Sequence, residues 1–152
     1  MKKTVYFAGP LFTQAERMWN LRLSEIIRAE RKDLEIFLPQ AKDKEAIVNG
    51  RLDFRKIFQI CIDGIDSSDI LVAILDGSDS DSGTCFECGY AFSKGKPIIG
   101  VRTDIRGGED NGLNAMLNHG CSSVIHYESG EEYPEKNMEE LARLIIANID
   151  SE

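Results

Sequence analysis

Short apolar runs alternate along the chain with longer stretches in which apolar residues recur at helical spacing. Each short apolar run predicts a β-strand, and the chain contains five of them. The run at 70–75 is apolar at every position, which is typical of a strand covered on both faces of a parallel sheet. The predicted strands are residues 4–8, 35–38, 70–75, 97–101 and 123–127.

The stretches between these strands predict helices, because their apolar residues return every three or four positions. The predicted helices cover residues 14–31, 54–65, 84–94 and 138–149. Gly95 is placed to cap the third helix at its carboxyl end. The polar stretch 40–51 is predicted as a loop with some helix, and the Gly- and Asn-rich stretch 102–120 as a long functional loop.

Regular alternation of strands and helices indicates right-handed crossovers and a parallel sheet. We therefore predict that residues 1–152 form a single α/β domain with a flavodoxin-like, doubly wound, five-stranded parallel sheet. The expected strand order is 2-1-3-4-5, with the ligand crevice beside the first and third strands.

The charge balance favours a small ligand over a polymer. The chain has 26 acidic and 18 basic residues and a net charge of −8. Without a basic stripe, a nucleic acid is not an expected partner. No apolar stretch approaches the roughly 20 residues of a membrane span, and the first apolar run is too short for a secretory signal. We expect a cytoplasmic protein, without a membrane partner, whose four cysteines are free thiols.

The segment at 81–91, DSGTCFECGYA, follows the most apolar strand and carries Glu87 in the predicted first turn of a helix. In an open α/β sheet, ligands bind beyond the carboxyl ends of the strands. A carboxylate at this place can serve as a nucleophile or as an acid or base. A structural alternative stays open, because Thr84-x-x-Glu87 also matches a capping box.

Four further acids are close to Glu87 in the sequence, namely Asp69, Asp76, Asp79 and Asp81. Like charges that crowd one site raise the pKa of at least one carboxyl group. Such a site can hold an ionised nucleophile and a protonated acid together.

The first strand and the long loop add other candidates. Tyr6 is either a core aromatic residue or a hydroxyl donor that orients a carboxylate. Gly9 and Phe12 follow the strand, and the Phe12 ring is suited to stacking on a base or a sugar. Asn114 and Met116 are ligand candidates, with solvation of the loop as the alternative.

The pair Cys85-x-x-Cys88 at a helix start is the alternative chemistry, since such pairs act in thiol–disulfide exchange. The negative charge of the intervening Glu87 disfavours the thiolate forms of these two cysteines. A zinc site is not expected, because His119 and Cys121 lack a second ligand pair at suitable spacing. The chain also lacks the glycine-rich phosphate-binding motifs of ATP and dinucleotide sites, so we expect no cofactor.

Taken together, the motifs resemble the nucleoside 2-deoxyribosyltransferase family. The start Tyr-x-Ala-Gly-Pro and the block Asp-x-Gly-Thr-x-x-Glu-x-Gly-Tyr-Ala are the most specific parts, and all parts follow the family's order. The matching segments are 6–12 (YFAGPLF), 68–70 (SDI), 81–91 (DSGTCFECGYA), 95–97 (GKP) and 114–116 (NAM).

The resemblance implies transfer of 2-deoxyribose between nucleobases through a covalent deoxyribosyl intermediate on Glu87. By the same match, Tyr6 orients this nucleophile, and Asp69 and Asp81 contact the base or the sugar. Substrate binding is expected at Gly9, Phe12, Gly83, Asn114 and Met116.

The segment 114–116 matches one that reaches a neighbouring subunit's active site in the family, which implies a homodimer or a higher homo-oligomer. The closest alternative function is a hydrolase of 2′-deoxynucleoside 5′-monophosphates that uses the same glutamate. The first loop has no cation for a phosphate, although Arg17, Arg22 or Arg51 could reach one after folding. A nucleotide sensor without catalysis is the third possibility.

Overall fold

Five parallel strands form the central sheet of the computed structural model, which describes residues 2–128 and 134–152. The strands of this sheet are β1 (Lys3–Ala8), β2 (Leu34–Phe37), β5 (Ile70–Ile74), β6 (Ile98–Arg102) and β7 (Ser123–His126). They lie in the order β2-β1-β5-β6-β7, which is 2-1-3-4-5 when only these five strands are counted. The predicted α/β fold and strand order are confirmed.

Helices cover both faces of the sheet. The α-helices are α1 (Gln14–Glu30), α2 (Phe54–Ser67), α3 (Ser82–Ser93), α4 (Ala115–Gly120) and α5 (Pro134–Ser151). A 3₁₀ segment, Pro39–Ala46, precedes a small hairpin of β3 (Ile47–Val48) and β4 (Arg51–Leu52). Among the described residues, no helix combines the length and the apolarity needed to cross a bilayer.

Alternation along β1 divides its side chains between two core layers. Val5 and Phe7 pack with residues of α1 and α5, whereas Tyr6 and Ala8 pack with residues of α2 and α3. The neighbouring β5 is buried at all five positions, as its apolar run predicts. The side chain of Tyr6 therefore enters the layer that carries α3.

Two elements differ from the sequence prediction. The six-residue helix α4 lies within the stretch predicted as a loop. The β3–β4 hairpin was also not predicted, although its turn is an Asn-Gly pair in which Asn49 has φ 51° and Gly50 has φ 75°. Such a pair is a strong hairpin signal in a sequence. The two flanking strands are only two residues long each, so they show no recognisable alternation.

Candidate active site

Glu87 and Tyr6 form the central contact of the site. Tyr6 Oη donates a hydrogen bond of 2.6 Å to Glu87 Oε1. The ring of Tyr6 is fully buried in β1 and stacks on Phe37 of β2, with ring centroids 5.3 Å apart. Because this stack holds the ring in place, it also fixes the position of the hydroxyl group that donates to the carboxylate.

The start of α3 explains why Glu87 is available for this contact. Asp81 is the N-cap residue, and its Oδ2 accepts hydrogen bonds from the Thr84 amide at 2.8 Å and from the Thr84 hydroxyl at 3.0 Å. The helix begins at Ser82, so Glu87 lies in its second turn rather than in the first. The capping-box interpretation of Thr84 and Glu87 is wrong, because Asp81 already bonds the Thr84 amide.

A cavity of about 430 Å³, called here the Glu87 cavity, opens beside this carboxylate at the carboxyl end of β1. Its size falls within the range of small-molecule pockets, roughly 300–1,000 Å³. Four of the residues expected from the sequence line it together with Glu87, namely Gly9, Phe12, Asp81 and Gly83. Phe12 leaves 75% of its surface exposed, so its ring is accessible to a ligand.

Electrostatics at the site are set mainly by burial, which raises the pKa of Glu87 to about 7. The hydrogen bond from Tyr6 opposes this change of the pKa, and the Asp81 carboxylate adds to it. The sequence prediction of a raised carboxyl pKa is correct in direction, although like charge is not the main cause. Burial, followed by the charge of Glu87, raises the pKa of Tyr6, so its phenol stays protonated and acts as a donor.

The other three acids expected around Glu87 lie elsewhere. Asp69 directly precedes β5, and its Oδ2 accepts a hydrogen bond of 2.7 Å from the Thr4 amide near the start of β1. Asp69 is exposed, and it lies at the amino edge of the sheet, opposite the Glu87 cavity. The expectation that Asp69 belongs to the active site is therefore wrong. In a parallel sheet the amino ends of all strands lie at one edge and the carboxyl ends lie at the opposite edge.

Asp76 and Asp79 also have other surroundings. The Asp76 carboxylate accepts hydrogen bonds from the Thr103 amide at 2.5 Å and from the Asp104 amide at 3.0 Å, which fixes the loop after β6. Asp79 is exposed and lines a different cavity. Of the four predicted acidic neighbours, only Asp81 is close enough to influence the pKa of Glu87.

This second cavity, of about 550 Å³ and called here the α3–α4 cavity, contains the remaining predicted binding residues. Asn114 and Met116 line it, and both are exposed. Asn114 is the N-cap of α4, and its Oδ1 accepts a hydrogen bond of 2.9 Å from the Met116 amide. Neither residue lines the Glu87 cavity of its own chain.

The thiols of Cys85 and Cys88 also line the α3–α4 cavity. Burial raises the pKa of both thiols, and nearby negative charges add to this effect. Thiol–disulfide exchange needs a lowered pKa, so the structure argues against this alternative. All four cysteines are free, as expected. Among residues 2–128 and 134–152, no group of three or more His, Cys, Asp or Glu side chains could hold a metal ion.

Several residues of the Glu87 cavity were missed by the sequence analysis as parts of the site. Cys61 of α2 lines the cavity, and its thiol lowers the pKa of Glu87. Lys42 of the 3₁₀ segment and Phe54 of α2 also lie in the wall. Ile57 and Cys61, four residues apart, both line the cavity, but a helical repeat of apolar residues does not distinguish a cavity wall from a core.

Comparison with known proteins gives a family match and a set of structural relatives. The family model described as nucleoside 2-deoxyribosyltransferase matches residues 5–117. A search of curated proteins found no match. A conserved protein from Enterococcus faecalis V583 is 28% identical with a TM-score of 0.73, over 95% of this chain and 99% of that chain.

Two further solved structures share the fold at lower identity. A 2-deoxyribosyltransferase from Bacillus psychrosaccharolyticus is 21% identical with a TM-score of 0.67, over 90% of both chains. A CMP N-glycosidase from Clostridium botulinum is 20% identical with a TM-score of 0.58, over 91% of this chain and 98% of that chain. Because the family match spans most of the sequence and includes Tyr6 and Glu87, the chain belongs to the nucleoside 2-deoxyribosyltransferase family.

Proposed function

We propose that the protein is a nucleoside 2-deoxyribosyltransferase, which cleaves the N-glycosidic bond of a 2′-deoxyribonucleoside and passes the sugar to a second nucleobase. The observation that carries this proposal is the Glu87 carboxylate, held by the Tyr6 hydroxyl at the wall of a ligand-sized cavity. Membership of an enzyme family that is named for this reaction supports it.

The chemistry assigned to Glu87 is a double displacement. Its carboxylate attacks the anomeric carbon, the bond to the base nitrogen breaks, and the electron pair leaves with the base. A nitrogen of the second base then attacks the same carbon and releases Glu87. Two inversions retain the configuration, as in retaining glycosidases. Since the sugar lacks a 2-hydroxyl group, the oxocarbenium-like transition state forms more easily.

The neighbouring residues receive proposed roles in this reaction. Tyr6 keeps the carboxylate in the attacking orientation through its hydrogen bond. Asp81 contacts the base or the sugar and is the cavity acid assigned to protonation of the leaving base. Gly9 and Gly83 give the substrate close access to the backbone, and the exposed Phe12 ring stacks on it.

Asn114 and Met116 are proposed to complete the site of a neighbouring subunit in a homo-oligomer. Their exposure in the α3–α4 cavity, away from Glu87 of their own chain, supports this arrangement. We further propose that residues 1–152 act as one domain of this family, and a cytoplasmic location stays a prediction.

Hydrolysis of a 2′-deoxynucleoside 5′-monophosphate is the second candidate function. Two cations favour it, because Arg17 and Lys42 both line the Glu87 cavity. The Arg17 guanidinium is already paired with Asp43 at 2.7 Å, which reduces its capacity for a phosphate group. The fold shared with a CMP N-glycosidase is compatible with this candidate.

The two functions are separated by a product assay. Purified protein is incubated with deoxyinosine or thymidine, with and without adenine, and the products are resolved by chromatography. Deoxyadenosine supports the transferase, whereas free base and deoxyribose alone identify a hydrolase. The same assay with deoxynucleoside monophosphates tests the second candidate. Absence of any product from all substrates contradicts both functions and indicates a binding protein.

A matched pair of variants tests the assignment of the nucleophile. Glu87→Gln and Asp69→Asn both replace an acid by its amide, but only Glu87 lines the cavity. We expect Glu87→Gln to lose at least about a thousandfold in kcat, as for other essential nucleophiles. Asp69→Asn should keep wild-type turnover. Full turnover in Glu87→Gln would disprove the mechanism.

A further inference from the structure

Arg102 is a buried charge at the point where β6 ends. It is the last residue of this strand, and only 4% of its surface is exposed. Alternation along β6 places it on the same face as Ile98 and Gly100, which is the face covered by α3 and α4. In the part of the chain that the structure describes, it is the one charged side chain buried to this degree. Arginine is almost never fully buried unless it is paired, so the partners of Arg102 indicate its role.

The guanidinium joins two loops at the carboxyl edge of the sheet. Its Nη1 donates hydrogen bonds to the carbonyl oxygens of Leu75 at 2.9 Å and Gly77 at 3.3 Å, at the end of β5 and in the loop that follows it. Its Nη2 donates to the carbonyl oxygen of Arg106 at 3.0 Å, in the loop after β6. The first loop leads into α3 and the second leads into α4. One side chain therefore links the loops that precede these two helices.

The far end of the second loop also packs on Arg102. Gly112 has φ 86° in the turn between Asp110 and Leu113, whose backbone amides and carbonyls bond each other at 3.0 Å. A Cβ atom at Gly112 would lie 2.7 Å from Arg102 Nε, so glycine allows the turn to approach the guanidinium. Asn114 follows directly after this turn. The contact with Arg102 thus lies two residues before the segment that carries Asn114.

The two loops do not depend on Arg102 equally. The loop after β5 has other anchors, because the Leu75 amide donates to the Val101 carbonyl at 2.8 Å and Ser80 Oγ donates to the Leu75 carbonyl at 3.2 Å. The loop after β6 is longer, and Asp76 fixes only its start. Arg102 contacts this second loop at its middle and at its final turn. Loss of the guanidinium should therefore free the second loop more than the first.

We propose that Arg102 is a positioning residue, which holds the loop after β6 in place and so sets the position of the segment 114–116 that completes the neighbouring subunit's site. This inference rests on the proposed function for the role of that segment, but the contacts of Arg102 lie within one chain. It follows that a change at Arg102 should damage the neighbouring site and leave the nucleophile of its own chain intact.

The first test does not need catalysis. Arg102→Lys keeps the buried charge but offers one nitrogen in place of the planar group that reaches three carbonyls. The amides of Leu113 and Met116 should exchange hydrogen about tenfold faster, whereas the Cys85 amide in α3 should keep its rate. Hydrogen exchange followed by NMR measures each amide. Arg106→Lys is the matched control, because the exposed Arg106 contributes its backbone carbonyl, not its side chain, to the contact.

The second test shows which site the change affects. Arg102→Lys alone should lose about 10- to 100-fold in kcat/KM, as expected for a misplaced binding group. A mixed dimer of Arg102→Lys and Glu87→Gln subunits contains one site with an intact Glu87 and an intact segment 114–116. With free subunit exchange, activity should therefore reach about a quarter of the wild-type value. Arg102→Lys mixed with Asn114→Ser should show no gain, because every site then receives an altered segment.

Gly112→Ala disturbs the same contact without changing the buried charge, so it also covers the case in which Arg102→Lys does not fold. Alanine is strained at φ 86°, and its Cβ atom would displace the Arg102 side chain. The exchange rates and the complementation pattern should match those of Arg102→Lys. Gly107→Ala is the control in the same loop, since an added Cβ atom meets no atom within 4 Å. It should keep wild-type turnover and exchange.

The outcomes keep the inference apart from the proposed function. A gain with Asn114→Ser but not with Glu87→Gln would show that Arg102 acts on the site of its own chain and would overturn the inference. Unchanged exchange of the loop amides, or an equal increase in α3, would also overturn it. If the wild type turns over no deoxynucleoside but the loop amides alone respond, the positioning of the segment is supported and the proposed reaction is wrong.

Discussion

At the scale of single residues, Glu87 has to meet two opposing requirements. Burial destabilises its charged form and raises its pKa to about 7, whereas the proposed attack on a sugar carbon needs the carboxylate. The hydrogen bond from Tyr6 offsets part of this effect of burial on the pKa, and Cys61 also lowers the pKa. The sequence predicted the candidate pair of Glu87 and Tyr6. It could not predict the pKa of Glu87, because this pKa depends on how deeply the side chains of Glu87 and Tyr6 are buried.

The pH dependence of kcat/KM follows from this pKa. Because the proposed nucleophile reacts in its ionised form, activity should rise through about pH 7 and level off above it. Two units below the pKa, only about 1% of the carboxylate is ionised, so kcat/KM should be about a hundredfold below its plateau. Initial rates measured between pH 5 and pH 9 test this. A flat profile down to pH 5 would contradict an ionisation of Glu87 near neutrality.

The free energy of unfolding should also depend on the ionisation of Glu87, but it should fall with rising pH where activity increases. The folded-state pKa of about 7 lies above the ordinary 4.5, so the favourable contribution is present at low pH and is lost as pH rises through 7. Glu87→Gln removes this titration and should stabilise the protein at pH 8 but not at pH 4. The gain is at most about 3 kcal/mol, and solvent in the open cavity reduces it. Denaturant unfolding at both pH values measures it, and an equal gain at both would exclude this cause.

Tyr6→Phe isolates the hydroxyl group from the ring. Phenylalanine keeps the stack on Phe37, but it removes the 2.6 Å hydrogen bond to Glu87. A hydrogen bond to a charged group corresponds to about a 10- to 100-fold effect, so kcat should fall by this factor. The acidic limb should also move to higher pH, because Glu87 loses a donor. Steady-state kinetics test both effects, with the melting temperature as a control for folding.

At the scale of elements, the first residues of α3 determine what Glu87 does. The sequence pattern predicted a helix start at Thr84, which left a capping role open for Glu87. In the structure Asp81 caps the helix, which begins two residues earlier at Ser82, and Glu87 is turned towards β1. Two acceptable caps three residues apart cannot be ranked from the pattern alone, because the tertiary contact with Tyr6 decides between them.

The close packing of α2 on β2 requires a glycine at position 64. A Cβ atom at Gly64 would lie 2.6 Å from the Phe37 ring, against which Tyr6 stacks. Gly64→Ala should therefore displace Phe37 and destabilise the fold by about 1–3 kcal/mol. Activity should fall as well, because the Tyr6 hydroxyl loses its position.

Gly89→Ala is the matched control for this substitution. Gly89 is also helical, but an added Cβ meets no atom within 4 Å. Alanine there should be neutral or slightly stabilising, since it favours the helix by up to about 1 kcal/mol. Thermal unfolding and kinetics of both variants provide the comparison. Equal effects of the two substitutions would show that helix propensity, not the contact with Phe37, controls the result.

At the scale of the whole molecule, the direction of the strands sorts the candidate residues between two edges of the sheet. Asp69 is at the amino edge, whereas the Glu87 cavity is at the carboxyl edge. Asn114 and Met116 share the carboxyl side but line the separate α3–α4 cavity. One chain thus presents a nucleophile in one cavity and exposed binding candidates in another, as the proposed homo-oligomer requires.

Subunit complementation tests this arrangement. Asn114→Ser keeps an N-cap side chain for α4 but shortens the group offered to a neighbour. If Asn114 serves the neighbouring Glu87, mixed oligomers of Asn114→Ser and Glu87→Gln subunits contain some sites with both residues intact. Mixing the two weak variants under conditions of subunit exchange should then raise activity above their average. Strictly additive activity would place Asn114 outside the partner's site.

The sequence by itself determined the α/β fold, the order of the strands and the identity of Tyr6, Asp81 and Glu87 as candidates, because these depend on local periodicity and on a contiguous motif. Tertiary structure alone decided which groups meet. It removed Asp69 from the site and added Cys61 and Lys42 to the cavity. The physical reason is that side-chain chemistry depends on distance and burial, which arise when the helices close over the sheet and which no spacing along the chain encodes.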